Sequence, residues 1–106
     1  QYHRVNVAAS FANAANTNGQ GLFASVRTDV NNIFGFKNGL QACTASIAST
    51  ASINLNIYIG ATNSIGVAAT FSARQYSMAF VGGGAMDSLK FYNAFQTLAG
   101  QLKFSV

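Results

Sequence analysis

The chain has 106 residues, of which only 8 % are charged, and it contains no proline and no tryptophan. Because ordinary domains carry about 25 % charged residues, this composition excludes a disordered tail, and the length indicates a single domain over residues 1–106. Two acidic residues, one histidine and one cysteine are too few for most hydrolytic sites or for a metal site of several ligands. We therefore expect a non-enzymatic protein without a cofactor or a metal ion.

The charged residues give a net charge of +4 and are scattered along the chain. Without a basic cluster, the protein is not expected to follow a phosphate backbone, so nucleic acid is excluded as a partner. A weak attraction to anionic surfaces is expected instead. No apolar run reaches about 18 residues, which argues against a membrane-spanning helix. The start at Gln1 rather than Met favours a secreted product processed from a precursor, with an arbitrary start as the alternative.

Hydrophobic periodicity predicts a strand and then a helix in the first third of the chain. Apolar and polar residues alternate over 4–11, which is typical of a half-buried strand. The spacing then becomes helical and predicts a helix over 20–34, capped by Asn18 and stopped by Gly35. The apolar stripe of this helix comprises Leu22, Phe23, Val26, Val30, Ile33 and Phe34.

The longest alternating segment runs from Cys43 to Ile59. Nearly every odd position in it is apolar, which predicts one strand far longer than the usual length of about 5–6 residues. Turn residues follow over 60–66, and alternation resumes over 67–81 with a change of phase near Arg74 that a β-bulge would absorb. The segments 43–59 and 67–81 are therefore expected to form one long hairpin.

A second helix and a last strand are predicted after the glycines at 82–84. Asp87 or Ser88 caps the helix and Gly100 ends it. The apolar stripe of this helix comprises Phe91, Tyr92, Phe95, Leu98 and Ala99. Apolar and polar residues alternate again over 101–106, which indicates a terminal strand.

The predicted order is strand, helix, strand, strand, helix, strand. Two strand–helix–strand halves with right-handed crossovers interleave into a ferredoxin-like split βαβ sandwich of the α+β class. The sheet is then four-stranded and antiparallel, with both helices on one face. The long second strand and the last strand lie on its two edges.

Two surfaces are candidates for contact with a partner. The predicted strand 43–59 has no charge and no proline, whereas edge strands are usually protected by lysine, proline or short length. Its outward row is expected to meet another chain, a second copy or a membrane. This row includes Thr50, Ser52, Asn54 and Asn56. The second helix carries a lysine among aromatic residues, as interfacial membrane helices do, although core packing explains the same stripe. The helix residues concerned are Lys90, Phe91, Tyr92 and Phe95.

The single histidine and the single cysteine are expected to have no catalytic role. His3 lies near the start of the chain, where we expect it to be solvated. Cys43 cannot form an internal disulfide because it is the only cysteine. It is either a buried thiol inside the predicted strand or a bridge to another chain.

The small, basic, proline-free chain with two interleaved strand–helix–strand halves resembles the secreted killer toxins of yeasts and fungi, of the zygocin and salt-mediated kind. The resemblance lies in element order and composition over the whole chain. It assigns no functional residue in this sequence. It implies a secreted, non-enzymatic antimicrobial toxin that binds a target-cell surface and permeabilises its membrane. The alternatives are a self-assembling module that pairs through 43–59 and an ice- or carbohydrate-binding face built from the Thr, Ser and Asn row.

Overall fold

A computed structural model describes residues 1–5, 10–51, 54–83 and 86–103. Across these ranges the chain forms seven short strands in three antiparallel sheets and one α-helix. The chain divides into two compact units, one comprising Gln1–Ala51 with Gly82–Val106 and the other Ser52–Val81. The predicted ferredoxin-like sandwich is therefore wrong, because the described ranges contain neither a four-stranded sheet nor a second helix.

The first unit contains a strand pair and a three-stranded sheet. The pair is formed by β1 (Tyr2–His3) and β2 (Ala12–Asn13). The sheet has the order β3-β4-β5, where the strands are β3 (Phe23–Val26), β4 (Asn32–Lys37) and β5 (Leu40–Ser46). The β1–β2 pair packs across β4 and β5. The buried apolar residues of these strands are Ala12, Ala24, Val26 and Ile33.

The predicted helix over 20–34 is wrong, and an Asn-Gly turn explains why. Asn38 and Gly39 have φ values of 52° and 80° and form the two-residue turn that joins β4 to β5. Such a turn needs positive φ at both positions, which Asn-Gly supplies at low steric cost, and its twist matches that of the strands. Because this hairpin pairs β4 with β5, the apolar residues of 32–37 lie in a sheet and not in a helix. Gly35, the predicted helix stop, lies in the middle of β4.

The second unit, Ser52–Val81, contains a small hairpin. Its strands are β6 (Thr62–Ser64) and β7 (Val67–Ala69), which pair in an antiparallel register. The predicted long hairpin is wrong, because β5 ends at Ser46 and the described residues of 54–59 and 70–81 are not in strands. A glycine-containing turn at Ile65–Gly66 closes the hairpin locally instead of pairing distant segments.

The helix α1 (Ser88–Leu102) is where the sequence prediction is confirmed. Asp87 is the N-cap, and its Oδ1 accepts a hydrogen bond of 3.0 Å from the backbone N–H of Lys90, as an N-cap carboxylate does. The predicted stop is wrong, since Gly100 lies inside the helix and Lys103 forms the left-handed C-cap with φ 56°. The predicted terminal strand is wrong at Leu102, and residues 104–106 lie outside the described residues.

The predicted first strand over 4–11 is absent from the described residues of that segment. Residues 6–9 lie outside the described residues, and the described positions 4, 5, 10 and 11 are not in a strand. The observed strands flank this segment, with β1 before it and β2 after it. None of the described residues of 4–11 is therefore in the predicted strand.

Candidate functional site

The free side of β5 is the candidate contact edge, and we call residues Leu40–Ser46 the neutral edge. On one side β5 is hydrogen-bonded to β4, and no other described strand pairs with its opposite side. The seven residues include no charge, no proline and no glycine. Leu40 is 67 % exposed, and Thr44 in the middle of the strand is also exposed. Such an edge can accept another strand, because its backbone groups present a row of donors and acceptors.

The other edge of the sheet is protected. β3 has only four residues, and Arg27 follows it directly. The Arg27 guanidinium donates to the carbonyl oxygens of Val5 at 3.0 Å, Val30 at 3.1 Å and Ile47 at 2.9 Å. Short length and a charged side chain usually protect an edge strand from pairing. Here the planar guanidinium also holds three backbone segments in place. Only the neutral edge lacks such protection in the described sheet.

The row predicted over 50–56 is not part of β5. Thr50 is exposed and follows the strand in the first unit, whereas Asn54 and Asn56 are exposed residues of the second unit. Ser52 lies outside the described residues. The neutral surface predicted for 43–59 is therefore divided between two units, and only its first part forms a paired strand.

The residues predicted for membrane contact differ in their exposure along α1. Lys90 is exposed and forms an ion pair with Asp87 at 3.4 Å. Phe91 and Tyr92 are half-buried, and the Tyr92 hydroxyl accepts a hydrogen bond of 2.7 Å from Gln96. Phe95 is only 5 % exposed. Phe95 therefore contributes to the core in this structure.

The second unit exposes most of its large apolar side chains. Ile65 at the tip of the β6–β7 turn is 93 % exposed and has a φ of 53°, which is rare and costly for a β-branched residue. The Tyr58 hydroxyl donates to the Gly66 carbonyl at 2.9 Å, and the Gly66 N–H donates to Asn63 Oδ1 at 2.7 Å. These bonds hold the turn in shape. Further exposed apolar residues are Ile57, Ile59, Val67, Phe71, Tyr76 and Val81.

The two carboxylates are structural. A hydrogen bond from the Asn31 backbone N–H lowers the pKa of Asp29, and a hydrogen bond from the Asn32 side chain lowers it further. This carboxylate therefore stabilises the loop before β4. The Lys90 backbone N–H lowers the pKa of Asp87 in the same way. No group of three or more potential metal ligands occurs among the described residues. The helix found in the described part of the chain is also too short and too polar to cross a bilayer.

His3 is the residue that sequence reasoning misplaced most. It is only 2 % exposed, and its Nδ1 lies 2.9 Å from Ser25 Oγ. Burial lowers the pKa of His3 below its ordinary value of 6.5, so the imidazole is neutral at pH 7. Cys43 is half-buried and is not in a disulfide. The alternating segment predicted over 4–11 does not include β1 (Tyr2–His3), and alternation does not show which strand packs against which.

Comparison with known proteins finds no counterpart for this arrangement. No protein-family model matches the sequence, no curated protein matches it significantly, and no solved structure matches its fold. The killer-toxin resemblance therefore stays a prediction.

Proposed function

We propose that the protein is a non-enzymatic interaction module that self-associates through the neutral edge. The observation that carries this proposal is the unprotected β5, a seven-residue strand with no charge at the side that no described strand covers. Two copies would pair through backbone hydrogen bonds across this edge, as in β-augmentation. Burial of Leu40 at the start of the strand would add apolar stabilisation.

The absence of repulsion at the edge supports pairing between identical chains. Two copies of β5 present no like charges to each other, whereas like charges directly opposite in a sheet are destabilising. A C₂ dimer needs a self-complementary surface, and an antiparallel pair of the same strand satisfies this requirement.

The test is the molar mass in solution over a range of protein concentrations, measured by size-exclusion chromatography with light scattering. We expect a concentration-dependent dimer or higher oligomer. Thr44→Lys places a charge in the middle of the neutral edge and should shift the protein to monomer. Thr28→Lys adds the same charge at an exposed loop position and should leave association unchanged. A wild-type protein that stays monomeric at every concentration contradicts the proposal.

A second candidate is binding to a membrane, as the killer-toxin resemblance implies. Two observations favour it. A hydrogen-bonded turn exposes Ile65, and Arg74 is the only charged residue in the sequence of this unit. Apolar residues inserted at an interface, combined with a positive net charge, favour anionic lipid surfaces. Target-cell lysis would then begin at the second unit.

Dye-loaded liposomes separate the two candidates. Leakage from anionic liposomes that Ile65→Asn reduces and Thr44→Lys leaves unchanged supports membrane binding through the second unit. Absence of leakage at micromolar protein and low salt eliminates the membrane candidate. It has no bearing on self-association, which is measured without lipid.

A further inference from the structure

Three residues lie in register across the three-stranded sheet. Ser25 of β3 pairs with Gly35 of β4, and Gly35 pairs with Cys43 of β5. Since directly opposed residues share a face of the sheet, Ser25, Gly35 and Cys43 form a row on one face. The middle position of the row has no side chain, which leaves space above the sheet.

The imidazole of His3 fills this space. Its Nδ1 lies 2.9 Å from Ser25 Oγ at one end of the row. A Cβ atom on Gly35 would lie 2.6 Å from both the Cγ atom of His3 and the Sγ atom of Cys43, and still closer to His3 Cδ2. The imidazole and the thiol are therefore neighbours above the same glycine.

One nitrogen of the ring is unsatisfied. His3 Nε2, which is bonded to Cδ2, is buried and makes no hydrogen bond within the described residues, although the Ala24 backbone carbonyl interacts with the ring and raises the pKa of His3 in part against the effect of burial. A buried polar atom without a partner costs about 1–3 kcal/mol, and in a native structure it calls for an explanation, of which a bound water or ion is one. The Ser25 contact to Nδ1 orients the ring, as second-shell partners orient metal-ligating histidines.

We propose that His3 Nε2 and Cys43 Sγ form a two-ligand site for a soft monovalent cation, for which Cu⁺ is the natural probe. Thiolate and imidazole are ligands that copper accepts, while Mg²⁺ and Ca²⁺ need oxygen ligands. Binding releases the thiol proton of Cys43 to solvent and forms one S–Cu and one N–Cu bond. The thiolate and Cu⁺ together are neutral, whereas a divalent ion would leave an uncompensated charge in a buried position.

The experiment is an anaerobic titration of the whole protein with Cu⁺ in competition with a coloured Cu⁺ chelator. We expect one equivalent to bind. Cys43→Ser should abolish binding, and Ser25→Ala should weaken it about 10-fold because the ring loses its orienting partner. Thr44→Ala, next to the cysteine but on the opposite face of β5, should bind like the wild type. Binding that does not change in Cys43→Ser overturns the proposal.

The role of His3 is tested separately, since a substitution of this buried residue can disturb folding. His3→Gln is expected to weaken Cu⁺ binding at least 10-fold, with the fold monitored by circular dichroism. In the wild-type protein, addition of Ag⁺, a redox-inert analogue, should shift the NMR resonance of His3 Nε2 and leave Nδ1 as the Ser25 partner. An unshifted Nε2 resonance at full occupancy means that the thiol binds alone, and the two-ligand site is refuted.

Discussion

The two compact units of this protein differ in where they place their apolar side chains. In the first unit Ile33 is completely buried, and charged side chains connect segments that are distant in sequence. Lys37 Nζ, for example, donates to Asn16 Oδ1 and to the Asn18 carbonyl oxygen, both at 2.8 Å. In the second unit Ile65 is almost fully exposed, and the side-chain hydrogen bonds join residues only a few positions apart.

The difference shows that a low charge content has two structural consequences in one chain. The first unit uses its few charges to satisfy backbone carbonyls around a small core. The second unit has turns and local hydrogen bonds but leaves its apolar residues at the surface, and exposed apolar clusters are typical of interaction sites. We therefore expect substitutions of buried residues in the first unit to affect folding, whereas substitutions of exposed apolar residues in the second unit should affect stability little. The neutral edge is the part of the first unit where we expect substitutions to change contacts with a partner.

The largest effect is expected for isoleucine truncation. Ile33→Ala removes the most buried large side chain of the first unit and should lower the free energy of unfolding by about 3 kcal/mol, through lost transfer energy and a cavity. Ile65→Ala makes the same chemical change at an exposed turn and should lower it by less than about 0.5 kcal/mol. Urea denaturation followed by circular dichroism measures both. Equal losses would show that the units do not differ in packing.

The two arginines give a second matched pair. Arg27→Lys keeps the charge but loses the planar fork that contacts carbonyl groups of three backbone segments, so we expect the free energy of unfolding to fall by about 2 kcal/mol. Arg74→Lys changes an exposed residue of the second unit and should be nearly neutral. Thermal and urea unfolding of both variants provide the measurement. A neutral Arg27→Lys would mean that lysine restores the contacts or that they do not contribute.

The strained turn of the second unit predicts a stabilising substitution. Ile65 has a positive φ, which asparagine tolerates much better than a β-branched residue. Ile65→Asn should therefore raise the stability of the β6–β7 hairpin by about 1 kcal/mol. Amide hydrogen exchange across 62–69 measures this gain directly. Faster exchange in the variant would show that Ile65 makes stabilising contacts that its exposure conceals.

The smallest effect concerns pH and belongs to the first unit. The lowered pKa of His3 keeps the imidazole neutral in the folded state, while the imidazole of the unfolded chain takes up a proton near pH 6.5. The free energy of unfolding should therefore have its full value above pH 6.5 and should decrease as the pH falls from 6.5 towards the lowered pKa of His3 in the folded state. The lowered pKa values of Asp29 and Asp87 add a further loss only below about pH 3.8.

Urea denaturation between pH 7.5 and about pH 5 measures this dependence. His3→Gln should flatten the slope in this window, because glutamine does not titrate. Ser52–Val81 contains neither histidine nor an acidic residue, so its hydrogen exchange should follow only the intrinsic pH dependence. A wild-type slope that persists in His3→Gln would assign the effect to another group.

Local signals in the sequence were sufficient to predict the helix and to place its start near Asp87 or Ser88, of which Asp87 is the cap. The stripe around Phe95 has helical period, and Asp87 is followed by the amide that it caps. The Asn38–Gly39 pair is an equally local signal that is typical of a hairpin, but the prediction of a helix over 20–34 did not use it. Apolar residues at 22, 23, 26, 30, 33 and 34 fit a helix, yet 23–26 and 32–37 are strands.

Composition and local pattern by themselves determined that the chain is weakly charged, that its side chains include few catalytic groups and that a helix begins near Asp87 or Ser88. Only the tertiary structure decided which segments pair, because strand pairing depends on contacts between residues far apart in sequence. It also placed His3 over Ser25, Gly35 and Cys43, an arrangement that requires two separate sheets to pack. The neutral edge became identifiable for the same reason, since a strand is an edge only with respect to its neighbours.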